Sequence, residues 1–288
     1  MMRGVSIWSV ATRAPNGEIE VTSEEVRPLI ERHRAFRLPV IRGVAGLVQS
    51  LEIGFRALAI SAAARVGDAG GGSAQADRAS LPVIVLALSF AIGLFFVLPA
   101  LVAALLHDVL GSTLAFWLVE GGLRVVLLVG YIAAINRVAD LRRMFEYHGA
   151  EHMAIACLES GDPLTPDRVA GHSRLHPRCG TSFLLTLMVV ATVLVIPLGI
   201  LDWYWLLLSR VLVVPVAAGV SYEVLKWTGR HRHARPVRTL NRPGLALQRL
   251  TTREPDRAQI EVAIVALEAV LAVEAIGGSS TEEFEPVA

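Results

Sequence analysis

The sequence predicts a mainly α-helical, polytopic membrane protein with four transmembrane helices in two hairpins, an interfacial helix and a small cytoplasmic α+β part. Three observations support this prediction. Hydrophobic residues make up 53% of the 288 residues and mean hydropathy is +0.54, which is more apolar than a typical soluble domain. Four apolar segments are long enough to cross a bilayer. The basic residues, all arginine except Lys226, are unevenly distributed around those segments.

The four apolar segments lie at residues 81–106, 114–135, 183–201 and 203–222. About 20 apolar residues, each rising ~1.5 Å, cross the ~30 Å hydrocarbon core of a bilayer. Only short connections separate the first segment from the second and the third from the fourth. We therefore predict transmembrane hairpins over 81–135 and 183–222.

The basic residues indicate which side of the membrane each connection faces. Ten lie in residues 1–80, six in 136–182 and nine after residue 223, whereas the connections at 107–113 and around Asp202 have none. The positive-inside rule then predicts a multi-pass protein of the cytoplasmic membrane with both termini and the 136–182 loop in the cytoplasm. Cys157 and Cys179 would face a reducing compartment, which favours a thiolate ligand or plain packing over a disulfide.

The segment before the first transmembrane hairpin is predicted to contain a β-hairpin, a charged helix and a membrane-surface helix. Residues 5–22 alternate apolar and polar side chains around Asn16-Gly17, which is typical of a β-hairpin. A charged helix is expected to complete residues 1–38. Residues 39–64 are apolar except for one polar stripe, and a spanning orientation would put six arginines of the first 41 residues outside. We interpret 39–64 as an interfacial or re-entrant amphipathic helix.

The sequence also predicts the structure of three further segments. Residues 65–80 are rich in glycine and are predicted to be a flexible linker. Residues 223–277 are predicted to be a cytoplasmic C-terminal region, with an amphipathic helix from Pro255 whose apolar face contains Ile260, Ala263, Ile264, Leu267 and Leu271. Residues 278–288 are expected to be disordered.

The 136–182 loop contains the candidate chemistry, in "YHGAEHMAIACLESG" at 147–161. On a helix His148 and His152 lie one turn apart on the same face, and with Glu151 they fit the H-x-x-E-H pattern, in which two histidines bind zinc and the glutamate acts as a base. His176 and Cys179, further along the loop, offer two more ligands. Four ligands would make a closed structural site, whereas a catalytic site keeps one position open. The alternative is that these side chains are satisfied polar groups of a loop beside the bilayer.

Three charged residues fall inside the predicted spans. Glu120 and Arg124 are four residues apart in the second span and Arg210 lies in the fourth. At ~1.5 Å per residue their depths are ~10 Å, ~15 Å and ~10 Å, so the three side chains could meet. Because an unpaired ion is costly there, we expect pairing and an inward orientation. Both a polar pathway or ligand pocket and a structural tie between the hairpins fit this cluster.

The motifs "MMRG", "APNGEI", "PVIRGVAGLVQSL", "YHGAEH", "LHPRCGTSF", "AGVSYE" and "PGLALQRLTTREPD" occur in this order. Their combination resembles the YqhQ-like family of bacterial membrane proteins, a domain of unknown function described as metal-dependent enzymes. The resemblance covers about residues 1–272. It implies a polar set at His148, Glu151, His152, His176, Arg178, Cys179, Glu223, Thr251, Thr252 and Arg253. Glu223, at the end of the fourth span, would be a carboxylate ligand or a snorkelling acid.

The combined expectation is a metal-dependent hydrolase at the cytoplasmic membrane surface. His148, His152 and either Cys179 or Glu223 would bind Zn²⁺ or another divalent transition metal, with Glu151 as the base. The alternatives are a non-enzymatic scaffold or regulatory module with a structural metal site, and a transporter subunit that uses the intramembrane cluster. Thr251, Thr252 and Arg253 would receive an anionic group or serve as a turn and helix entry. The expected partners are the lipid bilayer and a second copy or another membrane protein, with no nucleic acid.

Overall fold

The computed structural model describes residues 1–26, 36, 38–66, 72–177, 179–231 and 234–276. The strands in these ranges are β1 (Met2–Arg3), β2 (Ile7–Arg13) and β3 (Ile19–Glu25). The helices are α1 (Ile41–Val66), α2 (Gly72–Ile92), α3 (Leu98–Leu105), α4 (His107–Leu110), α5 (Thr113–Ile135), α6 (Ala139–Glu159), α7 (Pro166–Val169), α8 (Gly180–Val195), α9 (Trp203–Arg230), α10 (Arg235–Thr251) and α11 (Arg257–Ile276). A π-helical turn (Gly93–Val97) joins α2 to α3, and a 3-10 turn (Ile196–Leu198) follows α8.

The N-terminal sheet is antiparallel in the order β1-β2-β3. The turn between β2 and β3 needs a left-handed residue, which Gly17 supplies with φ of 89°, and the Asn16 side chain accepts a hydrogen bond from the Glu18 amide at 3.0 Å. This confirms the predicted hairpin and adds a short third strand. The helix predicted after it falls mainly on residues 27–35 and 37, which lie outside the described residues.

Five helices are long and apolar enough to cross a membrane: Ile41–Ala64, Pro82–Leu105, Thr113–Ile135, Gly180–Leu198 and Trp203–Arg230. The last four correspond to the predicted spans. The chain turns at Gly111, which has φ of 64°, and at Ser112, between the helix Pro82–Leu105 and α5. The Ser112 hydroxyl caps α5 by accepting a hydrogen bond from the Ala115 amide at 3.2 Å. The mainly helical class and the small N-terminal sheet are confirmed, and the apolar helices suggest a membrane protein.

The buried apolar residues form three clusters. The first lies between the last four long apolar helices and includes Phe96, Phe116, Leu187 and Leu206. The second, which we call the distal core, joins β1, β2, α6, α7 and α11. The third packs Trp8, Val10 and Val26 of the sheet region against Ile53 and Ala57 of α1. The sheet therefore lies between α1 and the distal core.

Helix α1 contacts two different parts of the molecule. Near its start, Gly43 lies so close to α9 that a Cβ there would be 2.9 Å from the Gly219 Cα, and Arg42 forms an ion pair with Glu223. Further along, Arg3 of β1 donates to Ser50 at 2.9 Å and to Gln49 at 3.1 Å. Helix α1 thus links α9 to the sheet.

The remaining boundaries differ partly from expectation. Helix α1 continues to Val66 and α2 begins at Gly72, so both extend into the segment 65–80 that was predicted to be a linker. Alanines flank the glycines on both sides, and their high helix propensity explains the extension. Residues 67–71 and the tail predicted to be disordered, 278–288, lie outside the described residues. Helix α11 begins at Arg257, two residues after the predicted Pro255, where Asp256 and Gln259 form a reciprocal capping box.

Candidate metal centre

Helix α6 carries two histidines on one face because His148 and His152 are four residues apart. Their ring centroids are 4.4 Å apart. The helix is fixed by its other side, where Ala150, Ala154 and Cys157 are buried in the distal core. The rigid helix therefore sets the spacing of the two imidazoles.

Cys179 comes to the same place from the start of α8. It is the N-cap residue of that helix, and its sulfur accepts a hydrogen bond from the Thr181 amide at 3.4 Å and lies 3.1 Å from the Thr181 hydroxyl. The Cys179 Sγ is 3.3 Å from the His148 Nε2. One ligand atom from each of His148, His152 and Cys179 lies within 4.8 Å of the others.

The other ring nitrogen of each histidine is held by a backbone carbonyl. His148 Nδ1 donates to the Thr251 carbonyl at 2.9 Å, and His152 Nδ1 donates to the Arg174 carbonyl at 2.6 Å. A carbonyl only accepts, so each neutral imidazole carries its proton on Nδ1 and leaves Nε2 as a lone-pair donor. Among the described residues, the buried His152 Nε2 has no hydrogen-bond partner. The His148 Nε2 is thus left for its contact with the Cys179 sulfur, and the His152 Nε2 is left without a partner among the described residues.

The electrostatics of the group favour a thiolate. Burial alone would raise the pKa of Cys179, but the neighbouring His148 and His152 imidazoles lower it to about 5. Burial alone would lower the pKa of His148, but Cys179, Glu151 and the Thr251 carbonyl raise it to about 9. The second cysteine differs, since burial raises the pKa of Cys157 and keeps it a thiol. Without a metal, the group is a thiolate beside an imidazolium at neutral pH.

This donor set fits a divalent transition metal. Two imidazole nitrogens and one thiolate are the ligands that Zn²⁺ prefers, and metal-bound histidines usually donate their second N–H to a carbonyl or carboxylate. The buried His152 Nε2 without a hydrogen-bond partner fits a metal-ligand role. Three protein ligands leave a fourth tetrahedral position open.

Gly149 and Gln248, which were not among the predicted site residues, pack against the backbone around the group. Gly149 lies against the backbone of Arg253, where any Cβ would collide with the carbonyl oxygen. Gln248, fully buried, accepts from the His176 amide at 2.9 Å and donates to the His176 carbonyl at 2.8 Å and the Ser182 hydroxyl at 2.9 Å. Gln248 had a signal in the sequence, since it is a polar residue on the apolar face of α10.

Other predicted ligands lie outside the group. The His176 Nε2 is 3.5 Å from a Glu159 carboxylate oxygen, and its ring centroid is 5.8 Å from that of His152. Glu223 forms its ion pair with Arg42. The carboxylate of Glu151, the candidate base, contacts the Met1 amino group. The structure therefore brings together His148, His152 and Cys179, and it does not bring Glu223 to them.

The candidate anion-binding residues make internal contacts. The Thr251 hydroxyl donates to Thr181 at 3.2 Å, the Thr252 hydroxyl donates to the Gln248 carbonyl at 2.7 Å, and the Arg253 Nε donates to Asn136 at 2.9 Å. These contacts fix the end of α10 and the turn after it, which places the Thr251 carbonyl at His148. Arg178 lies outside the described residues.

The intramembrane cluster forms, and it is fully buried. Arg210 donates to both carboxylate oxygens of Glu120, at 2.6 and 2.7 Å, and Arg124 pairs with the same carboxylate. Arg124 also donates to the Thr192 hydroxyl at 3.0 Å. The cluster thereby joins α5 with α8 and α9.

Residues 38–273 match the family described as "Protein of unknown function (DUF1385)". The chain belongs to the DUF1385 family. Among known proteins, it is 34% identical over 291 residues to the uncharacterized protein YqhQ of Bacillus subtilis (strain 168), which covers 96% of this chain and 90% of that protein. No solved structure matches the chain. The family resemblance inferred from the motifs is confirmed, and the DUF1385 match includes His148, His152 and Cys179.

Proposed function

We propose that this DUF1385 protein is an integral membrane metalloprotein with a metal-dependent hydrolase site at the cytoplasmic surface of the membrane. The observation that carries the proposal is the convergence of one ligand atom from each of His148, His152 and Cys179, all within 4.8 Å of one another. Both Nδ1 atoms are committed to carbonyls. Zn²⁺ or another divalent transition metal would take the place of the proton between His148 and Cys179 and bind all three ligand atoms.

The residues have distinct roles in this proposal. His148, His152 and Cys179 hold the ion, and the carbonyls of Thr251 and Arg174 orient the two rings. The bound metal would supply Lewis-acid activation of a water molecule or a substrate oxygen. Glu151 follows His148 by one helical turn and its side chain is 19% exposed, so it is the proposed acceptor of the proton that the attacking water loses.

A structural metal site is the second candidate. His152 and Cys179 are both fully buried, and the group ties α6 to the start of α8 and, through Thr251, to the end of α10. Metal binding would then stabilise this junction without chemistry. The transport interpretation has less support, because Glu120 forms ion pairs with both Arg124 and Arg210.

Contacts across the molecule support four crossings, with α1 lying along the membrane surface. The sheet packs on α6 and α11 in one core, so residues 2–13, 139–159 and 257–276 must lie on the same side of a membrane. An even number of crossings must then separate them. The helix Pro82–Leu105 with α5, and α8 with α9, supply two crossings each, which leaves none for α1. Following the positive-inside rule, we propose that this side is the cytoplasm.

Metal analysis of purified full-length protein tests the site. We expect about one equivalent of metal in the wild type and loss of it in His148→Ala, His152→Ala and Cys179→Ala. His176→Ala and Glu223→Gln are the matched controls, since their side chains lie outside the group and the metal should be retained. A wild type with no metal, and no affinity for added Zn²⁺ or Co²⁺, would rule out the proposal and leave thiol chemistry at Cys179 as the alternative.

Cobalt substitution separates the enzyme from the structural site. In the Co²⁺ protein the visible spectrum should shift on addition of azide if the fourth position is open, and it should not shift if the site is closed. Glu151→Gln should leave metal content and spectrum unchanged. A closed, azide-insensitive site would favour the structural interpretation.

A further inference from the structure

The segment that follows the last apolar helix is strongly basic. Residues 224–253 contain eight arginine and lysine residues and no aspartate or glutamate. Helix α10 holds four of these arginines, Arg235, Arg238, Arg242 and Arg249. Among the described residues, none of these four side chains forms an ion pair or a side-chain hydrogen bond, although most other arginines do. The positive charge of α10 is therefore uncompensated within the described part of the protein.

The four arginines share one exposed face, which we call the arginine face. At about 100° per residue they fall within an arc of about 60°. The opposite side of the helix is buried and contains Val237, Gly244, Leu247, Gln248 and Thr251. All four arginines are exposed. Helix α10 therefore packs one face against the protein and exposes a face whose charged residues are all arginine.

Contacts with α8 fix the level of this face relative to the membrane. A Cβ at Gly244 would lie 2.8 Å from the Ser182 hydroxyl, and Gln248 donates to the same hydroxyl at 2.9 Å. Ser182 is the third residue of the apolar helix Gly180–Leu198, so the middle of α10 lies at the N-terminal end of that helix. Leu240 of α10 and Trp227 near the end of α9 are 60% and 51% exposed, and exposed apolar and aromatic side chains are common at a membrane interface.

We propose that the arginine face of α10 binds anionic phospholipid headgroups. At the end of an apolar helix the available anions are headgroup phosphates, and an exposed guanidinium binds a phosphate through paired hydrogen bonds. Basic clusters that directly follow a transmembrane helix attract anionic lipid at about 1 kcal/mol per charge. The charge, exposure and level of the face all match this partner. The proposal does not depend on metal at His148, His152 and Cys179.

Native mass spectrometry of the full-length protein in a non-ionic detergent tests the proposal, with phosphatidylglycerol and phosphatidylcholine as probes. The wild type should bind phosphatidylglycerol more tightly than phosphatidylcholine. Arg238→Gln/Arg242→Gln/Arg249→Gln should reduce the phosphatidylglycerol affinity by about 100-fold. Arg168→Gln/Arg257→Gln, which removes two exposed arginines beside the distal core, is the control and should keep wild-type affinity.

Several outcomes would overturn the proposal. Equal affinity for the two lipids or an unchanged triple variant would contradict it. So would full competition by inorganic phosphate at the lipid concentration, which would identify a free-anion site, or tighter binding of a short DNA duplex, which would identify a nucleic-acid surface. The melting temperature and metal content of the triple variant should equal those of the wild type, which separates this test from that of the metal site.

Discussion

At the scale of single residues, the candidate metal centre depends on backbone carbonyls as much as on side chains. His148 and His152 each use Nδ1 on a carbonyl, of Thr251 and Arg174 respectively. Those carbonyls fix the tautomer and the direction of each ring. The side chain of Arg174 could therefore be changed at little cost to the site, whereas that of Thr251 also holds its own backbone through Thr181.

The opposed pKa shifts predict the pH dependence of stability in metal-free protein. The lowered pKa of Cys179 contributes stability that is fully present above 9.0 and lost as the pH falls through about 5. The raised pKa of His148 contributes stability that is fully present below 6.5 and lost as the pH rises through about 9. The two slopes offset each other from about 6.5 to 9, and stability should fall as the pH drops from about 6.5 to 5.

Melting temperatures of chelator-treated wild type and Cys179→Ala over this pH range measure the effect. The difference between the two proteins should be largest near neutral pH and should shrink toward pH 5, since Cys179→Ala removes the Cys179 shift and the contribution of Cys179 to the His148 shift. The subtraction cancels other titrating groups. A difference that stays constant from pH 5 to 7 would contradict the thiolate and imidazolium pair.

Glu120 is expected to be essential for stability because, among the described residues, it is the carboxylate that pairs with both buried guanidiniums, those of Arg124 and Arg210. Glu120→Gln should destabilise the protein by about 3–5 kcal/mol, since it leaves buried charge without compensation. Thermal unfolding in detergent measures the loss, with the exposed Glu268→Gln as the control. Arg210→Met added to Glu120→Gln should recover part of it, and no loss in the single variant would contradict a structural role.

The sequence could predict part of the site for identifiable reasons. The helical spacing of His148 and His152 puts both on one face of any helix, and Cys179 follows in the same loop. The sequence alone could therefore identify these three as candidate ligands. The direction of His176 depends on the irregular backbone between α7 and α8. The partner of Glu223 is Arg42, 181 residues away, and no local pattern identifies such a pair.

At the scale of elements, the position of α6 depends on one glycine. Gly149 allows the backbone of Arg253 to approach α6, and Arg253 donates its amide to the Phe145 carbonyl at 2.9 Å. Periodicity predicts α6 as a helix, but a helical glycine between His148 and Ala150 carries no sign of which backbone approaches it. Tertiary contacts of this kind cannot be deduced from a single sequence.

Gly149→Ala should disrupt the centre. The added methyl group collides with a backbone oxygen that cannot rotate away, so the segment 251–253 must move and the Thr251 carbonyl leaves His148. We expect a metal affinity at least about 10-fold weaker and a lower melting temperature. Gly54→Ala in α1, where nothing lies within 4 Å of the new methyl group, is the control and should be neutral or slightly stabilising. Equal metal affinity in both variants would contradict this role.

Helix α1 is long and apolar enough to cross a membrane, but we propose that it lies along the membrane surface. Its exposed apolar side chains, Ile41, Val48, Leu51 and Leu58, form one stripe, and its other sides contact α9 and the sheet. Composition makes it as long and apolar as a spanning helix. The polar stripe and the arginine distribution were the features of the sequence that predicted a different placement.

At the scale of the whole molecule, the shared distal core makes a topology prediction that does not depend on which side is the cytoplasm. Single cysteines at the exposed positions Asn16, Met144 and Glu268 should react with a membrane-impermeant maleimide from the same side. Val109→Cys lies in α4, between the helix Pro82–Leu105 and α5, and should react from the other side. Labelling of Asn16→Cys from the side of Val109→Cys would indicate that α1 crosses the membrane.

The distal core also constrains biosynthesis. It joins Met2 and Ile7 to Leu267 and Val270, residues from nearly opposite ends of the chain with every long apolar helix between them. Helix α6 cannot complete its packing until α11 has left the ribosome, although its own sequence emerges about halfway through translation. The apolar helices thus insert before the histidines of α6 gain their final surroundings, and a chain truncated before α11 would reach the membrane with an unfinished metal centre.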